Sequence, residues 1–273
     1  PLGPPPGHFE RLQSGAAEVA CSLHGYAGQG AFPRARLGQL SFLGDSYGAS
    51  PVFADIYMND LAGAAEHEGI KLLGVFEHGP GQLFLRDRAI ASPQDFKGLR
   101  IRNPGGYIAS LLTDLGVEAV STPVERVAPA LESGEIDGAA FPYSAIQAFG
   151  VLGKFDHALE LPGGFYNASW YFGINGARWQ AIEARDRQAI DSIAGPLIAE
   201  LAGKAFDDAD HVARESCRAA GVNIYRASEE VEAFVRQAGS RHEQQWIDHV
   251  TAEGFEGDYL LGKLRRRTMV DRL

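Results

Sequence analysis

The sequence predicts an α/β protein in which mostly parallel strands are flanked by helices. Strand-like and helix-like patterns alternate along the chain, the apolar runs are short, and glycine or proline separates many of them. The alternation is clearest between residues 97 and 152. Strands are predicted there at 99–102, 118–120 and 136–141, and helices at 107–115, 124–131 and 144–152. Strands that alternate with helices in this way are typical of a parallel sheet covered on both faces.

The flanking segments extend this pattern. Further strands are predicted at 17–21, 70–76, 165–174 and 222–225, and a helix at 49–62. Residues 178–219 have helical spacing throughout, but Pro196 lies inside this segment. Because proline lacks the N–H group and clashes with the preceding turn, we expect a kink or break there.

Composition limits the classes of partner. The chain has 273 residues, a net charge of −10 and a pI near 5.3, which fits one large domain or two lobes. An acidic chain binds phosphate backbones and anionic lipid poorly, so we expect no nucleic-acid partner. No apolar run is long enough for a transmembrane helix, so we expect no direct insertion into a membrane. An anionic ligand would need local attraction from arginines in a cleft.

The usual motifs for metals and cofactors are missing from the sequence. Cys21 and Cys217 form no CxxC pair, and their pairing with each other stays open. His242 and Glu243 do not begin an HExxH motif, and no cluster of His, Cys and carboxylates has metal spacing. We therefore expect neither a metal nor a cofactor.

One short motif supports an alternative function. Residues 44–48, Gly-Asp-Ser-Tyr-Gly, match the G-x-S-x-G pattern of a nucleophile elbow, and helical sequence follows. This alternative is an α/β serine hydrolase with Ser46 as its nucleophile. With 33 glycines in the chain, a chance match within a glycine-rich loop is the simpler explanation.

Several segments, taken in order, resemble those of the extracytoplasmic solute-binding proteins of TRAP transporters, the DctP family. The most distinctive is residues 95–102, Asp-Phe-Lys-Gly-Leu-Arg-Ile-Arg. The others are residues 12–20, 32–43, 84–90, 115–117, 123–125 and 131–138. The resemblance covers roughly residues 8–240, and its specificity comes from the order of the segments.

This resemblance implies two α/β lobes joined by crossing strands, with the ligand between them. Residues 1–79 and 167–210 would form the first lobe, and residues 80–166 and 211–273 the second. The helical segment from 178 would tie the lobes together. Family members have a first strand and helix before the position of Leu2, and these are absent here. We therefore expect residues to precede Pro1 in the full protein.

Arg102 is the principal candidate for ligand binding. It ends a predicted strand and precedes the turn at residues 103–106, and ligands of α/β sheets lie beyond the carboxyl ends of strands. A guanidinium group matches a carboxylate with two parallel hydrogen bonds. In the resembling family the matching arginine clamps the ligand's carboxylate. Arg100 has the same side-chain parity, but we expect it to be solvated.

The resemblance also suggests the ligand's character. Gln82 occupies the position at which sialic-acid-type members have a second arginine, and Phe141 the position at which they have asparagine. Tyr143 lies in a Phe-Pro-Tyr segment that resembles a variant of the family. The site is thus predicted to be less cationic and more aromatic than in those members. This favours a small monocarboxylate with an apolar or aromatic body.

Four further residues are candidates for the lining of the cleft. Alternation in the strand at 165–174 places Trp170 and Phe172 on one face and Tyr171 on the other, and we take Trp170 as the cleft residue. Asn167 offers an amide for hydrogen bonding. His24 and Tyr26 follow the first predicted strand, at its cleft end. Each of these has a structural alternative, as core or turn residue.

The sequence thus predicts a binding protein and not an enzyme. Its lobes would close about a hinge, because a ligand that contacts both lobes favours the closed state. The resemblance implies a periplasmic location and delivery to the membrane permease of a TRAP transporter. The serine hydrolase remains the alternative, and a sensor that feeds a signalling partner would use the same pocket.

Overall fold

The computed structural model of the chain describes residue 3, residues 5–28 and residues 30–269. The strands are β1 (Val19–Leu23), β2 (Ile70–Leu85), β3 (Arg100–Asn103), β4 (Glu118–Ser121), β5 (Gly138–Phe141), β6 (His157–Glu160), β7 (Tyr166–Asn175) and β8 (Asn223–Arg226). The α-helices are α1 (His8–Gln13), α2 (Ser46–Asp55), α3 (Tyr107–Asp114), α4 (Val127–Glu132), α5 (Tyr143–Ala148), α6 (Gly176–Ala181), α7 (Ala184–Ile193), α8 (Pro196–Ala219), α9 (Glu229–Ala252) and α10 (Gly257–Met269). Short 3₁₀ helices include His24–Ala27 and Arg34–Gln39.

The predicted α/β class and the two-lobed arrangement are confirmed. Strands β1 and β7 and the first part of β2 form the sheet of the first lobe. The end of β2 pairs with β5 and β6 in the second lobe, where β3, β4 and β8 complete the sheet. The residue ranges predicted for the two lobes stay a prediction.

The expected parallel pairing is correct for part of the molecule. In the second lobe, β3 pairs with β4 and β5, and β6 pairs with β8, all in parallel. The pairs of β7 with β1 and with β2 in the first lobe are antiparallel. The expectation of a mostly parallel sheet is therefore wrong for the described part of the first lobe. The reason is that β7 returns to this lobe alongside β2, in the opposite direction.

Strand β2 connects the two sheets and is much longer than predicted. It runs for 16 residues, whereas the apolar pattern ends near Phe76. The segment Gly79-Pro80-Gly81 has the composition of a turn, yet the strand continues through it with a shift of register between His78 and Gly81. Such an irregularity bends a strand locally. Here it lies where the chain passes from one lobe to the other.

The long helix α8 spans both lobes. The predicted break at Pro196 is confirmed: α7 ends at Ile193, and Pro196 is the first residue of α8. Proline fits this position because its missing N–H would have no partner in a first turn. Helix α8 packs against α2 of the first lobe, along β2, and against α5 of the second lobe. Helices α9 and α10 then return, and α10 packs on α2.

Candidate ligand-binding site

Arg102 is a buried cation at the carboxyl end of β3. Only 4% of the residue is exposed. Its Nε donates a hydrogen bond to the carbonyl oxygen of Thr122 at 3.1 Å, and its guanidinium carbon lies 4.6 Å from the ring centroid of Phe141. Asn103 holds the following turn, because its Oδ1 accepts a hydrogen bond from the backbone N–H of Gly105 at 2.9 Å. The strand end and this turn therefore fix the position of the guanidinium.

The neighbouring Arg100 is neutralised, whereas Arg102 is not. Asp137 binds Arg100 through both carboxylate oxygens, at 2.6 Å to Nη2 and 3.1 Å to Nε. Arg100 is thus an inter-strand ion pair rather than a freely solvated side chain. Within the described part of the chain, no carboxylate oxygen lies within 4.0 Å of the Arg102 guanidinium. A buried charge without a counter-charge is costly, so Arg102 is suited to an external anion.

Aromatic side chains of both lobes surround Arg102. Burial lowers the pKa of Arg102, and the nearby phenol groups of Tyr166 and Tyr26 act in the opposite direction. Tyr26 belongs to the 3₁₀ helix that follows β1 in the first lobe, whereas Arg102 and Phe141 lie at the carboxyl ends of strands of the second. A role for Tyr26 in ligand binding stays a prediction. Tyr166 belongs to the strand predicted at 165–174, on which Trp170 was preferred as the cleft residue.

The two lobes meet beside this group. The Oε1 atom of Gln39 accepts a hydrogen bond from the backbone N–H of Tyr107 at 3.2 Å, and the hydroxyls of Ser41 and Tyr107 are 2.6 Å apart. Gly25 and Gly106 approach so closely that a Cβ on Gly25 would lie 3.7 Å from the Gly106 backbone. The cleft is therefore narrow here, and a small cavity of about 10 Å³ lies between Tyr107, Tyr166 and Asn167.

Asn167 has one unused polar atom at this small cavity. Its Nδ2 donates to Glu77 Oε2 at 3.0 Å and to the carbonyl oxygen of Gly44 at 3.2 Å. Its Oδ1 is buried and has no partner among the described residues. Burial raises the pKa of Glu77 to about 8, while the hydrogen bond from Asn167 opposes this. Glu77 was missed in the sequence, where it directly follows the apolar run that ends at Phe76.

Gln82 and Tyr143 lie toward a different groove. Gln82 is opposite Phe141 in the register of β2 and β5, but its amide binds both backbone groups of Leu161, at 2.8 Å to the N–H and 3.3 Å to the carbonyl. The Tyr143 hydroxyl donates to Glu160 at 2.8 Å, and Arg214 binds the same carboxylate. This groove is largely acidic, with Asp45, Glu160, Asp207, Asp208 and Asp210 in its lining. A role for Gln82 or Tyr143 in ligand binding stays a prediction.

Trp170 lies on the face of the first-lobe sheet that is covered by α8. Its ring stacks on Phe76 with centroids 6.1 Å apart, and Phe206 of α8 lies 5.9 Å away. The predicted alternation is confirmed, since Tyr171 points to the opposite face and contacts Phe9 and Phe32. Trp170 Nε1 is buried and has no hydrogen-bond partner among the described residues. Its predicted place in the cleft therefore stays a prediction, and its contacts are those of a core residue.

His24 is part of a buried pair of imidazoles. Its Nε2 lies 3.1 Å from His67 Nε2, and its Nδ1 lies 3.1 Å from the Ser169 hydroxyl. His67 Nδ1 donates to the carbonyl of Gly63, so His67 Nε2 accepts from His24. Burial lowers the pKa of His24 well below its usual range, and the adjacent His67 lowers it further. Both ring nitrogens of His24 are hydrogen-bonded within the protein. The neutral imidazole therefore acts as a structural part of the cleft wall.

The hydrolase alternative lacks its structural context. Ser46 is the first residue of α2 and follows a loop after the 3₁₀ helix Arg34–Gln39, whereas a nucleophile elbow follows a strand. The residue is fully buried, and Asp207 of α8 accepts hydrogen bonds from the backbone N–H groups of Ser46 and Tyr47 at 2.8 Å each. The interpretation of Ser46 as an exposed nucleophile is therefore wrong. Its segment is a capped helix N-terminus.

Other features of the described residues bear on function only weakly. In the ranges given above, no helix combines the length and apolar character needed to cross a membrane. No group of three or more His, Cys, Asp and Glu side chains in those ranges is arranged to hold a metal ion. Cys21 is exposed and Cys217 is buried, and neither is in a disulfide.

Comparison with known proteins places the chain in a family. Residues 1–248 match the family described as "Bacterial extracellular solute-binding protein, family 7", DctP. Among solved structures, a TRAP periplasmic solute-binding protein of Bordetella bronchiseptica with bound (R)- and (S)-mandelate has a TM-score of 0.92 and 30% identity. The alignment covers 97% of this chain and 84% of that one.

Two further solved structures are similar. A TRAP solute-binding protein from a marine metagenome, from an unidentified microbe, is described as specific for aromatic acids and holds 3-hydroxybenzoate. It has a TM-score of 0.87 and 28% identity over 97% of this chain and 83% of that one. A TRAP solute-binding protein of Rhodoferax ferrireducens with copurified benzoate has a TM-score of 0.87 and 25% identity. The alignment covers 98% of this chain and 84% of that one. With the family match over residues 1–248, these likenesses show that the chain belongs to the DctP family of TRAP-transporter solute-binding proteins.

Proposed function

We propose that this protein binds a monocarboxylate with an aromatic body in the cleft at Arg102 and delivers it to the membrane permease of a TRAP transporter. The observation that carries the proposal is the burial of Arg102 with no carboxylate oxygen of the described residues within 4.0 Å of its guanidinium. A ligand carboxylate would supply that charge and accept two parallel hydrogen bonds from the guanidinium. Only one guanidinium nitrogen, Nε, is engaged by the protein backbone, at Thr122.

The surroundings of Arg102 favour a single carboxylate on an aromatic ring. Phe141 faces the guanidinium, and the phenol groups of Tyr26 and Tyr166 are its other neighbours. At the position of a second arginine in other members stands Gln82, whose amide is already bound to Leu161. A second carboxylate would thus find no cation there. Rings pack well against such walls, and each aromatic contact adds about 0.5–1.5 kcal/mol beyond the area buried.

The relatives support the same ligand class. Three proteins of 25–30% identity hold mandelate, 3-hydroxybenzoate or benzoate, and each of these is an aromatic monocarboxylate. Their ligands are properties of those proteins. They favour this class here because the residues around Arg102 independently suggest a ring and one negative charge. The periplasmic location and the permease partner rest on membership of the family.

Closure of the lobes would couple binding to delivery. Tyr26 comes from the first lobe and Arg102 from the second, and both are near the same point. A ligand that contacts both therefore stabilises the closed state over the open one. Uptake of labelled benzoate by cells that carry the matching permease should require this protein and be lost with Arg102→Met.

A thermal-shift screen tests the ligand class. Benzoate, 3-hydroxybenzoate and mandelate should each raise the melting temperature, whereas succinate, glucuronate and benzyl alcohol should not. At a hundredfold excess over Kd, binding stabilises the folded state by about 2.7 kcal/mol. Arg102→Met should give a clearly smaller shift with these acids than wild type. Arg185→Met is the matched control, because Arg185 is an exposed residue of α7 paired only with Asp186, and it should keep the full shift.

Two results of the screen would contradict the proposal. Stabilisation by succinate or glucuronate with none by the aromatic acids would refute the proposed ligand class. An equal shift in wild type and Arg102→Met would refute the role of Arg102.

A further inference from the structure

A second cleft lies on the far side of the contact between Gly25 and Gly106. Its volume is about 590 Å³, within the range of small-molecule sites, about 300–1,000 Å³. The loop after β1, the start of α3 and one face of α9 form its walls. The lining includes Arg36, Phe32, Tyr107, Ser110, Gln245 and Trp246, and Arg102 is not part of it.

Arg36 is the unusual residue of this cleft. It is half-buried, and its Nε is fully buried without a hydrogen-bond partner among the described residues. Over the same ranges, no carboxylate oxygen lies within 4.0 Å of its guanidinium. Most arginines of the chain have a partner: Arg34, for example, pairs with Glu253 at 2.7 Å. An arginine presents five donors in a planar fork, so a half-buried one without an acceptor is suited to an anion.

The other charged groups near Arg36 leave its charge uncompensated. His242 of α9 faces it closely enough that Arg36 disfavours protonation of the imidazole. Asp114 lies 3.0 Å from His242 Nε2 and also pairs with Arg241, so its carboxylate is directed at those two residues and not at Arg36. The Nδ1 atom of His242 is buried and has no partner among the described residues. An anion would thus meet one cation and no carboxylate within 4.0 Å of it.

The walls add apolar and polar surface at defined positions. Trp246 is fixed by the hydrogen bond from its Nε1 to the carbonyl oxygen of Arg34 at 3.3 Å, and Tyr107 is fixed by Ser41 at 2.6 Å. Phe32 stacks on His67 at the inner end. Ser110 and the exposed Gln245 offer a hydroxyl and an amide at the rim. A cation among ring edges, with polar groups at the rim, matches an organic acid better than a bare inorganic ion.

We infer that this cleft is a second binding site, for a small organic carboxylate of about the size of benzoate, with Arg36 as its cation. The site is separate from Arg102 and does not depend on the function proposed for that residue. The chain would then hold two acids, one at Arg102 and one at Arg36.

Ligand-observed ¹⁹F NMR with 4-fluorobenzoate tests the inference on the full chain. Wild type should show two saturable binding events. Arg36→Met should lose one of them or weaken it at least about tenfold, which is about 1.4 kcal/mol. Arg102→Met should lose the other and keep the event at Arg36. Arg185→Met, an exposed arginine on α7, is the matched control and should keep both.

A second variant tests the cleft without removing the charge. Ser110→Trp places an indole in the cleft from α3 and should abolish the same event as Arg36→Met, while circular dichroism confirms the fold of both variants. A single event in wild type that Arg36→Met leaves intact would overturn the inference. So would two intact events in Arg36→Met or in Ser110→Trp, or the loss of both events in Arg102→Met. If the event at Arg102 alone is missing, the proposed function fails and this inference stands.

Discussion

Arg102 is the next-to-last residue of β3 and Phe141 the last residue of the neighbouring parallel strand β5, and the guanidinium carbon of Arg102 lies 4.6 Å from the ring centroid of Phe141. The pair thus combines a cation and an aromatic face at one edge of the second-lobe sheet. Asp137 is already paired with Arg100, and among the described residues no carboxylate oxygen lies within 4.0 Å of the Arg102 guanidinium. This division between the two arginines of β3 is what makes Arg102 a binding residue.

Replacing Phe141 should reduce both affinity and selectivity for aromatic acids. Phe141→Leu removes a ring that faces the guanidinium, and a buried cation–π contact contributes about 2 kcal/mol. We expect benzoate to bind at least several-fold more weakly, with a smaller loss for an aliphatic acid such as 2-hydroxybutyrate. Isothermal titration calorimetry on both ligands measures the change. Phe255→Leu, whose ring lies under Arg34, is the control and should leave both affinities unchanged.

Glu77 should make the stability of the protein fall as pH rises. Its pKa is raised to about 8 by burial, so the folded state holds a proton that the unfolded state has already lost above its ordinary pKa near 4.5. The folded state therefore loses relative stability between these two pH values, at about 1.4 kcal/mol per pH unit. Glu77→Gln keeps the neutral form and the acceptor for Asn167.

Urea unfolding at a series of pH values isolates this effect. The free energy of unfolding of wild type should fall relative to Glu77→Gln from pH 5 to pH 8 and then stay parallel to it. A constant difference between the two proteins over that range would show that Glu77 is ionised in the folded state.

The pair of His24 and His67 should have the opposite pH dependence. Burial lowers the pKa of His67 to about 4. Between pH 6.5 and pH 4, the unfolded state therefore binds a proton that the folded state does not bind. Stability is therefore fully present above pH 6.5 and is lost as pH falls toward 4. His67→Phe keeps a ring beside Phe32 but cannot be protonated. Thermal melts should show it less stable than wild type at pH 7.5, with a difference that narrows or reverses at pH 5.

Asp207 and Asp210 should stabilise helices of different lobes. Both are on α8: Asp207 accepts hydrogen bonds from the first two N–H groups of α2, and Asp210 accepts one from Ser144 of α5 at 2.6 Å. Replacing such a cap with alanine costs about 0.5–2 kcal/mol. Hydrogen exchange should accelerate at the start of α2 in Asp207→Ala and at the start of α5 in Asp210→Ala.

The residue between them supplies the control. Asp208 is exposed and pairs with Lys204 one turn away, so Asp208→Ala should change exchange at neither helix. Faster exchange at both helices in either single variant would mean that α8 responds as one unit, rather than through two separate caps.

The helices and strands that could be predicted are those set by the pattern of neighbouring residues in the sequence. The alternation between residues 97 and 152, the break at Pro196 and the strand end at Arg102 all follow from neighbours in the chain. The run of β2 through Gly79-Pro80-Gly81 does not, because those residues form turns unless a strand such as β7 pairs with them. The antiparallel first-lobe sheet was hidden for the same reason.

The candidate site divides in a similar way. Arg102 was predicted from its strand end and from the family resemblance. The engagement of Gln82 by Leu161 and of His24 by His67 depends on contacts 79 and 43 residues apart, which no spacing in one segment reveals. Arg36 was not singled out at all, since its environment is completed by His242 of α9, far along the chain.

The most direct test of the central claim compares the binding of an acid and of its amide to proteins with and without Arg102. Calorimetry would compare benzoate with benzamide, which has nearly the same shape without the charge, on wild type and on Arg102→Met. Wild type should prefer benzoate by roughly 2–5 kcal/mol, because the acid supplies the partner of a buried cation. Arg36→Met, which lacks the cation of the second cleft, should keep this preference, and Arg36→Met combined with Arg102→Met should bind the two ligands about equally. A preference for benzoate that survives in the double variant would show that another residue binds the carboxylate and would contradict the account.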